Sequence, residues 1–333
     1  MFKIIIIFSI LINIPIVFFF NYFSKKINLY DQPDNFRKFQ KKPVALYGGL
    51  ILIYNFILIN IYNIVTDLNI YPEIYFANTR EYFSILFGIF FCFLIGLHDD
   101  KYNISANYKL FANTAILFIV LIIDDSLIIR ELHFSFLNNP IELKNFSIFF
   151  TLLCILLFIN AINMFDGINL QCSIYCLLVF IIFIYKGTFI NLSLLIAISL
   201  IFFIYLNSKN KTFLGDSGTQ VLGFIISYIF IKSYNFESSF QCDEIFVIML
   251  IPGLDMFRLF ISRIAKGFHP FKADNRHIHH LLLKKIGYSK TVILIQSIIA
   301  SQIIIYNLID SKLILILILI LIYSFLILKI SKK

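Results

Sequence analysis

The chain is expected to be an all-α, polytopic integral membrane protein, and three observations lead there. Of its 333 residues 60% are hydrophobic and only 14% charged, with a mean hydropathy of +0.88. Soluble domains carry about 25% charged residues, and a chain of this length has no single core large enough for so much Ile, Leu and Phe. The apolar residues also come in runs long enough, or nearly so, to cross a ~30 Å hydrocarbon layer as helices. Finally, the cations fall in alternate connections between those runs. An ordinary soluble domain is excluded, and the net charge of +9 reads as membrane topology, with no nucleic acid implied.

Eleven runs are expected to span, at about 4–23, 45–65, 82–97, 109–129, 146–165, 171–185, 189–206, 217–233, 245–264, 291–309 and 313–328. The first resembles a signal peptide, but it is too long and shows no small-residue cleavage site before Ser24-Lys25-Lys26, so it reads as a retained signal anchor. Six Lys and Arg fall in 24–44, two in 98–109, two in 207–215, eight in 257–290 and three in the C-terminal tail, which is 21 of the 28. The positive-inside rule then places 24–44, 98–109, 160–170, 207–216 and 257–290 in the cytoplasm, with the N-terminus outside and the C-terminus inside. The whole of 1–333 is read as one domain. Cys92, Cys154, Cys172 and Cys176 lie in apolar runs, which suggests no disulfide framework.

The acids sort by type. Every glutamate falls on the outer side of this topology, whereas the cytoplasmic acids are all aspartates: Asp31, Asp34, Asp99, Asp100, Asp166, Asp216, Asp255 and Asp274. A merely solvated face would mix the two, so position-specific chemistry is favoured, although Asp is also a common turn residue.

Five segments carry that chemistry. Gly96-Leu97-His98-Asp99-Asp100 puts an acidic pair where the third run ends. Two adjacent carboxylates beside a low-dielectric slab need a compensating cation, and a hard divalent ion such as Mg²⁺ meets the need. Asp124-Asp125, at the other side, reads as a helix end pointing acids at water. Asn160, Asn163 and Asp166, followed by Gly167, repeat every three residues and share a helix face suited to a base edge or a phosphate–metal group. Phe213-Leu214-Gly215-Asp216-Ser217-Gly218 sets a carboxylate at a helix start, either as a ligand or as the N-cap.

The 257–290 loop holds Arg258, Arg263, Lys266, Arg276 and the cluster His277-Ile278-His279-His280. Zinc is disfavoured by the surrounding cations and by the lack of Cys or Glu ligands, so an anionic partner such as a pyrophosphate fits better. In the first loop, Arg37 and Lys38 can receive a phosphate or simply enforce topology. Carboxylates for a metal, cations for phosphate and lipid all around suit the joining of a nucleotide compound to a membrane-bound phosphate. A lipid or solute transporter or flippase is the rival reading, but its ionisable groups would lie near the bilayer midplane, often in repeated halves.

The segments DQPDNFRK with PVALYGG, GLHDDKYNISANYKL, NAINMFDG, FLGDSGTQVLGF and PGLDMFRLFISRIAKGFHPFKADNRHIHH resemble, in order, those of the polyprenyl-phosphate N-acetylhexosamine-1-phosphate transferases, glycosyltransferase family 4. The likeness is to the WecA/TagO-like branch, related to MraY. It implies transfer of a HexNAc 1-phosphate, by default GlcNAc 1-phosphate, from a UDP-sugar to undecaprenyl phosphate. The products would be the lipid-linked pyrophosphate sugar and UMP, in a bacterial inner membrane, to start an envelope glycan. Mg²⁺, or Mn²⁺ in its place, is implied as cofactor, and a homodimer is left open.

By the same resemblance, Asp99 would position or deprotonate the lipid phosphate, with Asp100 supporting it near the metal and Asp216 ligating the ion. Asn160, Asn163 and Asp166 would line the nucleotide pocket, and Lys109 would hold phosphate. Arg263, His277, His279 and His280 would meet the diphosphate or sugar, with His279 counted among the catalytic groups. The chain departs from the family where a second Asp-Gly often follows, reading Asp166-Gly167-Ile168-Asn169-Leu170-Gln171.

Overall fold

The structure, a computed structural model, describes residues 2–33, 40, 42–66, 76, 78–270 and 274–331. Helices dominate: α1 (Phe2–Phe18), α2 (Phe20–Ile27), α3 (Gly48–Thr66), α4 (Thr79–Tyr102), α5 (Ala106–Ile123), α6 (Ser147–Phe165), α7 (Gln171–Lys186), α8 (Ile190–Ser208), α9 (Gly215–Glu237), α10 (Cys242–Ile264), α11 (Ile278–Ile286), α12 (Tyr288–Leu308) and α13 (Lys312–Ser331). This is the expected choice for an apolar chain, because a helix satisfies its backbone polar groups internally where no water can do so. Among the described residues seven helices are long and apolar enough to cross a membrane, or eight if a bent pair is counted as one span. The protein is thus an all-α polytopic membrane protein.

The eleven expected runs fall mainly on helices, but 45–65 starts in a short strand, Val44–Leu46, 109–129 runs past the end of α5, and the helices of 45–65 and 171–185 fall short of the length that spans; two further differences concern single helices. The first run is not one helix: α1 and α2 meet at an angle of 73° across Phe19. The break follows the change in sequence from an all-apolar stretch to Phe20-Asn-Tyr-Phe-Ser-Lys-Lys-Ile27, whose apolar and polar residues segregate onto opposite faces, the form of a helix lying along an interface. The second difference concerns α9, which is sheathed by α3, α4 and α6. From Ser217 to Tyr234 it is buried throughout. With protein on all sides it can carry Gln220, Ser227, Lys232 and Ser233, which a lipid-facing helix would not tolerate.

Close crossings hold the start of α9. A Cβ built on Gly96 of α4 would lie 2.4 Å from Ser217 Cα, and one on Gly49 of α3 would lie 2.3 Å from Ser217 Oγ. Small residues at such crossings let backbones approach, as membrane helices require when packing is what holds them together. A three-stranded sheet of β1 (Tyr30–Asp31), β2 (Val44–Leu46) and β5 (Thr212–Phe213) ties the loop after α2 to the segment before α9, with β1 antiparallel and β5 parallel to β2.

At the far end of the helices, β3 (Glu131–Leu132) and β4 (Ile141–Glu142) form a hairpin. Just after β3, Ser135 donates from its backbone N–H and from Oγ to Asp243, and the Tyr306 hydroxyl bonds the same carboxylate at 2.6 Å. Asp124 departs from expectation here. It is fully buried and pairs with Lys232 at 2.9 Å, while Lys232 also reaches Glu81 at 3.0 Å. Only Asp125 of the acidic pair faces out. The reason lies in α9, whose Lys232 has no water to solvate it and so requires carboxylates.

Candidate active site

Segments far apart in sequence converge at the other end of the bundle on one cavity of about 1400 Å³. Its lining includes every predicted site residue within the described part of the chain: Asp99, Asp100, Lys109, Asn160, Asn163, Asp166, Asp216, Arg263, His277, His279 and His280. Arg37 and Lys38 lie outside the described residues. All five loop segments singled out from the sequence contribute to the wall.

The acidic pair divides its work. Asp100 turns both carboxylate oxygens onto the start of α9, with Oδ1 accepting from Asp216 N–H at 2.7 Å. Oδ2 accepts from Ser217 N–H at 3.0 Å and from Ser217 Oγ at 2.6 Å. It therefore caps α9 from another helix, satisfying orphan N–H groups and complementing the positive end of the dipole. This displaces the N-cap alternative for Asp216, which lies within the first turn of α9. Gly215, at φ +74°, makes room, since a Cβ there would sit 2.8 Å from Asp100 Oδ2.

Asp99 and Asp216 meet through a lysine. Lys109 Nζ donates to Asp99 Oδ2 at 2.6 Å and also to Asp216 Oδ1. Asn163 Nδ2 donates to the same Asp216 oxygen and to Thr219 Oγ1 at 2.9 Å. Asp99 Oδ1 accepts the Ile104 N–H at 3.0 Å, which fixes the turn between α4 and α5. Asn160 stays bonded along its own helix, with Nδ2 donating to the Leu156 carbonyl at 2.7 Å.

Asp166 follows the end of α6 in the same wall. Burial first, and then the charges of Asp216 and Asp100, push its carboxyl up to about 8. An unfolded Asp titrates near ~3.9, so the folded state holds the extra proton between those values, and its stabilising effect fades as pH rises through about 8. In detergent with a chelator present, the melting temperature is expected to fall from pH ~5 to ~8, and Asp166→Asn is expected to flatten that slope. Equal slopes in the two proteins would contradict it.

The histidines line the same cavity. The His277 and His279 rings stack with centroids 5.3 Å apart, and His280 stands edge-on to His279 at 4.3 Å. His279 is fully buried, and among the described residues neither of its ring nitrogens has a hydrogen-bond partner. Burial, followed by the charges of His280 and His277, lowers its pKa well below the usual value, so it is held neutral. Gly167 abuts this ring, since a Cβ at 167 would fall 1.9 Å from His279 Nε2. That contact joins the Asn163–Asp166 segment to the histidine loop.

Arg263 is 2% exposed and fastens the loop from inside, donating from Nε to Asp274 at 3.1 Å and from Nη1 to the Pro270 carbonyl at 2.6 Å. Although burial opposes ionisation of Asp274, hydrogen bonds from Arg276 and Arg263 outweigh it and hold that carboxyl down at about 2.

A divalent metal can be tested against this donor set. Among the described residues no three His, Cys, Asp or Glu groups converge closely enough to cage an ion. Two or three carboxylates around a cavity suit Mg²⁺ instead, which keeps waters and takes one or two carboxylates plus substrate phosphate. The residues present would fit that ion.

Some site groups gave little sign in sequence. Ser217 and Thr219 are ordinary helix-start residues, and their role depends on which helix packs against them. Asp255, 2% exposed and bonded to His277 Nδ1 at 2.8 Å, stood out in the sequence as one of the cytoplasmic aspartates, but nothing there pointed to its partner.

Fold and cavity together define a polytopic membrane protein with carboxylates, amides, histidines and cations gathered around one cavity at the end of its helix bundle. Residues 82–234 match the model of glycosyl transferase family 4. Undecaprenyl-phosphate alpha-N-acetylglucosaminyl 1-phosphate transferase of Escherichia coli O157:H7 is 26% identical over 280 residues, covering 80% of this chain and 72% of its own. The enzyme of that name from Yersinia pestis is 26% identical over 272 residues, with 78% and 70% covered. A probable undecaprenyl-phosphate N-acetylglucosaminyl 1-phosphate transferase of Bacillus subtilis (strain 168) is 28% identical over 283 residues, with 83% and 74% covered. The chain is similar to glycosyl transferase family 4 over that stretch and to these transferases over most of its length, which supports a membrane transferase.

Proposed function

We propose that the protein transfers a HexNAc 1-phosphate, by default GlcNAc 1-phosphate, from a UDP-sugar to undecaprenyl phosphate. An oxygen of the lipid phosphate bonds to the phosphorus that carries the sugar. The phosphoanhydride bond to that phosphorus breaks, and UMP leaves. The observation that supports this most is the convergence of Asp99, Lys109, Asn163 and Asp216 at one cavity that His277 and His279 also line. In such transfers catalysis is mainly positioning and neutralisation of charge.

Lys109 supplies a cation for an incoming phosphate, and Asp99 orients that phosphate or takes its proton. Asn160, Asn163 and Asp166 face the nucleotide. His277, His279 and His280 face the diphosphate or sugar, with Arg263 behind them and Arg37 and Lys38 as further phosphate contacts. Mg²⁺, with Mn²⁺ as a substitute, would be held by Asp216, supported by Asp100 through the helix start that Asp100 caps. When bound, the ion would neutralise charge on the phosphates.

The cation asymmetry supports an N-terminus outside, a C-terminus inside and a cytoplasmic site in the bacterial inner membrane, with eleven crossings. The product would start an envelope glycan. Full-length protein in detergent, given radiolabelled UDP-GlcNAc, undecaprenyl phosphate and Mg²⁺, is expected to yield a lipid-soluble labelled product and UMP. No product with any UDP-HexNAc would defeat the proposal, and a transporter would release no UMP.

A further inference from the structure

Asp255 sits on α10, 2% exposed. Its Oδ1 accepts from Arg258 Nη2 at 2.7 Å and from the Tyr323 hydroxyl at 3.0 Å, and its Oδ2 meets His277 Nδ1 at 2.8 Å. The Ile278 N–H lies 3.2 and 3.3 Å from the two oxygens. Arg258 in turn bonds Tyr323 from Nε at 3.3 Å and the Arg276 carbonyl from Nη2 at 2.6 Å. Three elements thus meet on one carboxylate: α10, the entry to α11, and α13, which lies beyond the part of the chain that matches the family model.

An ionised carboxylate only accepts hydrogen bonds, so the shared proton belongs to His277 Nδ1. The ring's other nitrogen, Nε2, is then left for the cavity that His277 lines. Since His279 stacks parallel on His277, with 2° between the planes, whatever fixes one ring fixes the other.

We propose that Asp255 is a positioning residue for the transfer. It locks His277 in the ring orientation and tautomer that turn Nε2 toward the diphosphate of the donor, and Arg258 and Tyr323 hold Asp255 in place. The last helix therefore takes part in the site without touching substrate. This rests on the transferase reading above.

A purely structural Asp255 would only cap α11 through Ile278, so the test needs a readout that capping does not move. In full-length protein in nanodiscs, ¹⁵N NMR of labelled histidine, with His277 assigned by loss of its signal in His277→Gln, is expected to show Nδ1 protonated. Asp255→Asn is expected to move the proton toward Nε2 or mix the tautomers. The same change is expected to lower kcat/KM for UDP-GlcNAc by about 10- to 100-fold, the usual effect of losing the partner that orients an imidazole. The double variant Asp255→Asn, His277→Gln is expected to be no worse than the poorer single variant.

Tyr323→Phe, which removes one of several donors, is expected to cost about 3-fold with a smaller shift in the same direction. It carries the test if Asp255→Asn fails to fold. An unchanged His277 tautomer, or losses that simply multiply, would overturn the inference. If the parent chain makes no product, the transferase reading fails, and the tautomer measurement still decides whether Asp255 sets His277.

Discussion

Asp216→Asn is expected to lower product formation about a thousandfold while the melting temperature stays within about 2 °C of the parent. Asp216 Oδ1 accepts from both Lys109 and Asn163, so it sets the positions of the cation and the amide that are proposed to face the phosphates. An amide in its place keeps the shape but loses the charge. Several kcal/mol of stabilisation of developing charge are at stake, and each 1.36 kcal/mol is tenfold in rate. Fold stability should hold because α9 is capped by Asp100 and packed against Gly49 and Gly96. Initial rates with labelled UDP-GlcNAc, read beside a thermal melt, check this. Activity near that of the parent would reject the role.

Lys232→Met is expected to give the largest loss of stability, about 3–5 kcal/mol, because it removes the buried cation that balances the carboxylates of Asp124 and Glu81 in a dry interior. The cluster lies 16 residues along α9 from Asp216, roughly 24 Å at ~1.5 Å per residue. Residual activity of whatever protein remains folded should therefore be near normal. The triple variant Lys232→Met, Asp124→Asn, Glu81→Gln should recover much of the loss, since no charge is then stranded. Chemical denaturation in mixed micelles measures both. An unstable triple variant with a stable single one would reverse the account.

Helices and their places along the chain were legible because burial in lipid leaves a local mark. An apolar run long enough to span reads directly as a helix. The site was legible in part for a related reason, since acids are costly beside lipid and their presence at Asp99, Asp166 and Asp216 calls for a partner. Asp124 shows the limit of that reasoning. The same cost holds for it, but its partner Lys232 is 108 residues away, and nothing local distinguishes an acid facing water from one facing a buried lysine. The bend after Phe18 was missed because its residues stay apolar through Phe20 while the polar ones begin only at Asn21.

What the amino-acid order decided unaided was a membrane bundle, the ends at which its chemistry-bearing aspartates lie, and the family that those segments resemble. What required the packed chain was the division of labour within those aspartates. Asp100 serves the helix start, Asp99 and Asp216 share Lys109, and Asp255 serves His277. A carboxylate's role is set by which donors surround it, and here those donors come from helices distant in sequence, whose meeting depends on glycine-sized gaps between them.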